Sequence, residues 1–285
     1  MLNFLKGMLI GCANVVPGVS GGTIALLVGI YERMVSSISA LTQRGERKLP
    51  HLFFLVTVLL GMFAGVLIFA RLFTFLLSEV PFHTYLFLMG LIAGSVPLIA
   101  REQEDMELKL DRVILLLIGF VAVALLSIIG SRMSDGIEVV DSSNILGIVE
   151  ITTIEPAYAL WLFLCGFLAI GAMMIPGFSG SALLVALGEY SALLYFLNEL
   201  MVVPLIFFSL GAVLGVFLFA RIIDHFLKTQ PQRTYYLILG LVAGSILEVL
   251  LEASTFPINA ASIVVGGIVA IAGALSAYGL GKLRS

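Results

Sequence analysis

The chain has 285 residues, of which 60% are apolar and 12% charged, and it carries a net charge of −3. Ordinary soluble domains run at about 45–50% apolar and about 25% charged, so a water-facing fold could not hide this much apolar surface. The small net charge and the scattered basic clusters argue against a nucleic-acid partner.

Taken in chain order, the first apolar segment covers residues 4–16, a helix of about 20 Å and too short for a hydrocarbon core near 30 Å. Lys6 followed by Leu9, Ile10, Gly11 and Cys12 imitates a lipoprotein signal, but its apolar stretch is shorter than the roughly 7–15 residues a signal needs. The segment breaks at PGVSGGT, Pro17 to Thr23, and a second helix of nearly twenty residues is expected to run on to Ser39. Residues 4–39 therefore read either as two poor crossings or as one re-entrant hairpin with its tip near the membrane midplane, and the short first helix and the break favour the hairpin. Three spans follow at 52–71, 84–100 and 113–131, completing a first repeat over 1–131. An acidic stretch at 132–158 connects it to a second repeat, 159–285. That repeat has a hairpin at 159–197, broken at PGFSGS (Pro176 to Ser181), and spans at 201–220, 234–252 and 260–281.

The two parts align on each other. Gly7 to Tyr31 match Gly166 to Tyr190 at a constant offset of 159, and Phe69 to Ser95 match Phe219 to Ser245 at an offset of 150. The change of register falls where Arg44 to His51 has no counterpart. One architecture thus occurs twice. Thirteen of the fifteen lysines and arginines fall on one side when the hairpins are counted as non-crossing, with only Arg71 and Arg132 opposite. Basic loops face the cytoplasm, so both termini are expected inside and 132–158 outside. An odd number of crossings in each repeat turns the second upside down relative to the first. The expected fold class is an all-α polytopic membrane protein of two inverted-topology repeats, an arrangement found in secondary transporters.

The tips carry the chemistry. Proline ends a half-helix, glycine permits positive φ, and the next helix opens with amides that have no internal partner. In lipid such a break persists only where protein, water or a ligand satisfies it. Helix N-termini attract anions, bare glycines let them approach the backbone, and hydroxyls add donors. Pro17, Gly18, Ser20, Gly21, Gly22 and Thr23, with Pro176, Gly177, Ser179, Gly180 and Ser181, are the expected phosphate-binding residues. Gly65, Gly90, Gly94, Gly215, Gly240 and Gly244 are instead expected to serve helix packing. Four charges are offered for headgroup or coupling roles. Arg71 and Arg221 share one repeat position and could fork onto phosphate or reach an interface. Glu32 and Glu189 sit beside the paired Tyr31 and Tyr190, where they could relay protons or brace the hairpin bases. Lys6 and Arg33 read as interfacial anchors, as do His51, His83 and His225.

The opening GCANVVPGVSGGTIALLVGIYE and the later PGFSGSALLVALGEY closely resemble the polyprenyl-phosphate transporter family, over essentially the whole chain. The resemblance implies a lipid translocase, or flippase, in a bacterial-type plasma membrane. Its substrate would be undecaprenyl phosphate or a related lipid phosphate, returned from the outer to the inner leaflet for cell-envelope synthesis. The fold alone fits an ion-coupled carrier of a small soluble anion equally well. An enzyme acting on the same lipid would need a nucleophile or metal cluster with oriented partners. The sequence offers neither, so no catalytic residue, metal or cofactor is expected. Cys12 and Cys165 lie inside apolar segments and are not expected to pair. Partners other than membrane lipid, and the oligomeric state, are not legible.

Overall fold

The structure, a computed structural model, describes residues 1–15, 20–43, 45–102, 107–134, 149–150 and 153–282. Pro17 and Gly18, and most of the stretch expected to connect the repeats, lie outside the described residues.

The chain is built of helices in one order, twice over. The first set is α1 (Leu2–Asn14), α2 (Gly21–Leu27), α3 (Tyr31–Thr42), α4 (Lys48–Glu79), α5 (Pro81–Ala100) and α6 (Leu110–Ser134). The second is α7 (Pro156–Met173), α8 (Gly180–Ala186), α9 (Tyr190–Asn198), α10 (Val202–Thr229), α11 (Pro231–Ser254) and α12 (Ala260–Gly281). Between them Val149 pairs with Ile154 and Glu150 with Thr153 in a two-residue antiparallel ladder.

Seven of these helices are long and apolar enough to cross a membrane: α4, α5, α6, α7, α10, α11 and α12. Their outer faces are apolar and exposed, with Leu59, Phe63 and Leu67 on α4 and Ile263, Ile268 and Ile271 on α12. Such a surface suits hydrocarbon rather than water. Half of the residues in the α5 and α11 windows are buried, against 17% in α10 and α12. α5 and α11 are therefore the inner pair.

The helices overrun the expected spans. α4 is 32 residues, about 48 Å at 1.5 Å per residue, and runs to Glu79 rather than residue 71. One residue, Val80, separates it from α5, whose first residue is Pro81. In the second set Gln230 and Pro231 repeat the turn. Val80 has φ −138° and ψ 50°, Gln230 φ −138° and ψ 57°. Proline is preorganised for a helix's first position, which explains why each helix restarts at once.

The expected single helix from the first tip to Ser39 is broken. α2 and α3 meet at 115°, and α8 and α9 at 109°. The cause is a glycine at each bend, Gly29 with φ 70° and Gly188 with φ 77°. The amide of Gly29 donates to the Leu26 carbonyl and that of Ile30 to Ala25, while Gly188 and Glu189 repeat the pattern on Val185 and Leu184. This is the paired bonding of a Schellman cap, which satisfies the carbonyls at a helix end and turns the chain away.

Close packing follows the small residues. A Cβ at Gly7 or Gly11 would strike the backbone of α4, and one at Gly61 or Gly65 the backbone of α1. α7 and α10 approach in the same way through Gly166, Gly211 and Gly215. Two further pairs join the first set of helices to the second. α5 meets α12 at Gly90, Gly94 and Gly273, and α6 meets α11 at Gly119, Gly240 and Gly244. The packing expectation for these glycines holds.

Candidate functional site

The second tip is described in full. α7 ends at Met173, and Met174 and Ile175 close tight turns onto the carbonyls of Gly171 and Ala172. Gly177 then takes φ 80°, where a Cβ would lie 2.5 Å from the backbone of Leu241 and Val242 on α11. Only glycine fits that approach. Ser179 is extended, at φ −96° and ψ 119°, and N-caps α8. Its hydroxyl accepts from the Ala182 amide at 3.3 Å and lies 2.9 Å from the Ser181 hydroxyl.

Ser20 holds the equivalent place at the first tip, extended at φ −81° and ψ 123° before α2. The outcome differs. Its hydroxyl makes no cap bond, is buried with 6% of the residue exposed, and has no hydrogen-bond partner among the described residues. An orphaned buried hydroxyl forfeits the hydrogen bonds it would make to water, a cost of about 1–3 kcal/mol.

The tips touch each other. The Gly177 amide donates to the Thr23 hydroxyl oxygen at 3.0 Å, in a buried contact spanning 154 positions. A Cβ on Gly22 would sit 3.2 Å from the Pro176 α-carbon. Gly22 and Thr23 thus meet Pro176 and Gly177, with Ser20 and Gly21 just before them in the chain and Ser179, Gly180 and Ser181 opening the adjoining helix. α2 and α8 each have only seven residues, so few peptide dipoles are aligned. The expected half-charge at each helix start is reduced. Hydroxyl and amide donors are the principal chemistry here.

Among the four expected charges, the two carboxylates are hydrogen-bonded to aromatic side chains of neighbouring helices. Glu32 accepts from the Tyr235 hydroxyl on α11 at 2.8 Å. Glu189 accepts from the Tyr158 hydroxyl at 2.8 Å and the Trp161 indole at 2.9 Å, both on α7. Arg71 and Arg221 are exposed, eight residues before the ends of α4 and α10, and neither makes a hydrogen bond or ion pair among the described residues. The structure does not bring them to the tips. Arg33 lies over the Phe54 ring at 4.1 Å, while Lys6 is buried. His51 meets the Ser37 hydroxyl at 3.1 Å.

Two features escaped the sequence reading. The Tyr31 hydroxyl donates to the Met174 carbonyl at 2.9 Å, tying the start of α3 to the second tip. The repeated tyrosine was visible, but its partner is a backbone atom 143 positions away, which no residue type signals. The second is Glu248, a carboxylate inside α11, whose signal in the sequence is a charge within an apolar span.

Comparison with known proteins is consistent along the chain. A family described as undecaprenyl phosphate translocase-like matches residues 10–265. A polyprenyl-phosphate transporter of Vibrio cholerae serotype O1 is 32% identical over 254 residues, covering 85% of this chain and 75% of the relative. A polyprenyl-phosphate transporter of Staphylococcus aureus is 30% identical over 292 aligned positions, covering 100% of this chain and 97% of the relative. No solved structure matches.

Proposed function

From the premise that this chain belongs to the undecaprenyl phosphate translocase-like family, we propose that it carries undecaprenyl phosphate from the outer to the inner leaflet of a bacterial plasma membrane. An isoprenoid tail is at home in hydrocarbon, but its phosphate is not. Burying an unpaired charge costs far more than thermal energy, so unaided flipping is slow. The tips lower that barrier by offering hydroxyls and backbone amides in place of water.

The observation that carries this reading is the buried Ser20 hydroxyl, without a hydrogen-bond partner among the described residues, beside the Thr23–Gly177 contact. A donor left idle at that depth fits a ligand oxygen that arrives and leaves. The relatives' names supply the substrate class, polyprenyl phosphate. The two sets of helices are inverted relative to each other, with both termini cytoplasmic, and the site opens to each leaflet in turn.

The test is reconstitution in vesicles with labelled undecaprenyl phosphate in one leaflet and inorganic phosphate in the lumen. The protein should speed exchange of the lipid between leaflets and leave inorganic phosphate inside. Ready efflux of inorganic phosphate or another soluble anion, with the lipid staying in its leaflet, would replace this reading with a small-anion carrier.

A further inference from the structure

A cavity of about 620 Å³ lies between α6, α10 and α11, within the roughly 300–1,000 Å³ typical of small-ligand sites. Its walls are mostly apolar, among them Ile114, Ile175, Phe226, Leu237 and Ile238. The polar lining is concentrated at one end, where Asp111 begins α6 and where Gln230, Arg233 and Thr234 begin α11. Ile114, Ile222 and Phe226, on its rim, are exposed, at 46%, 43% and 45% of their surface. The rim of a purely aqueous vestibule would be polar along its length. This one is apolar along the helices and charged only at their starts.

The far wall reaches the tips. Tyr31 lines the cavity and donates to the Met174 carbonyl, and Ile175 beside it also lines the wall, two residues before Gly177. Arg233 holds the polar end, with its guanidinium 2.9 Å from an Asp111 oxygen and 3.0 Å from Gln230 Oε1. Both charged side chains are about half exposed, at 53% and 45%. Exposed ion pairs of this kind contribute little, so a phosphate able to accept a forked contact can displace the carboxylate.

We propose that this cavity is a second seat for the substrate, holding the phosphate on Arg233 and the first isoprene units of its chain against Ile114, Phe226 and Leu237. The inference rests on the lipid-phosphate reading and adds a place to it. Asp111 occupies the guanidinium while the seat is empty. An amphipathic ligand has only one way to lie here, with its anion at the helix starts and its chain toward the apolar rim. The deep wall then leads it to the tips.

The test measures binding of labelled undecaprenyl phosphate to purified protein in nanodiscs, with inorganic phosphate and phosphatidylglycerol as competitors. Arg233→Gln should weaken binding at least tenfold. Asp111→Asn should tighten it several-fold by freeing the guanidinium, a result that a merely structural ion pair would not give. Leu237→Trp, which fills the cavity, should weaken binding of the lipid phosphate. Wild-type affinity in both Arg233→Gln and Leu237→Trp would overturn the seat. So would equal competition by phosphatidylglycerol, which would make the cavity a bilayer-lipid site. Wild-type protein that neither binds nor moves the lipid phosphate would sink the underlying reading as well. Transport impaired by Ser20→Ala but untouched by the cavity variants would sink this inference alone.

Discussion

Ser20 and Ser179 stand at one repeat position and end differently, because Ser179 caps its helix while Ser20 caps nothing. Their alanine variants should therefore separate folding from binding. Ser179→Ala removes a cap and should cost about 1 kcal/mol of stability. Ser20→Ala deletes a buried hydroxyl that has no partner among the described residues, and should leave the melting temperature unchanged or higher, yet weaken lipid-phosphate binding by about 1 kcal/mol, or about fivefold. Thermal unfolding and lipid binding on the same preparations test both, and unchanged binding in the double variant would return the tips to packing alone. The residue types at the tips were legible, since proline, glycine and hydroxyls inside apolar segments have few other uses. The Thr23–Gly177 bond was not, because a contact across 154 positions leaves no local trace. Nor does a sequence say which way a side chain faces. Arg71 and Arg221 share a repeat position, and both are exposed with no hydrogen bond or ion pair among the described residues.

The order of helices could be read from apolar length and from the repeat, whereas their bends could not. Gly29 and Gly188 are two among 29 glycines, and only their place just past a two-turn helix marks them as caps. Gly188 isolates the backbone term, since a Cβ there would meet nothing within 4 Å while φ is 77°. Gly188→Ala should cost about 1–2 kcal/mol through left-handed strain alone. Gly279, also facing open space but without a positive φ, should gain about 0.5–1 kcal/mol on the same change. Opposite shifts in thermal midpoint would bear this out. Equal shifts would mean that the bend relaxes and does not need its glycine. The overrun of α4 and α10 has a similar origin, because helices joined by one residue and a proline have no polar loop to announce the joint.

At the scale of the molecule, the orientation argument makes a labelling prediction. On a background with Cys12 and Cys165 replaced by alanine, single cysteines at Leu200 and Ile258, both exposed, should react with an impermeant reagent in intact cells. Those at Glu46 and Glu107, also exposed, should react only once the cells are opened. Labelling of Glu46 and Leu200 from the same side would refute the inverted arrangement. The glycine contacts carry a different consequence. α5 is zipped to α12 and α6 to α11, so each repeat supplies two helices to a frame that neither can close by itself. Cutting the chain in the stretch between α6 and α7 would divide the repeats and leave the frame's seams uncut. The fragments 1–134 and 153–285, made alone, should be degraded or aggregate, because Gly90, Gly94 and Gly240 would present bare backbone to lipid. Made together in one cell, they should find each other and restore a transporter that co-purifies as two pieces. A stable, monodisperse 1–134 would show that the repeat is a self-sufficient body after all. The unit that recurs along the chain would then be the unit that folds, and the seams would be mere contacts between finished parts.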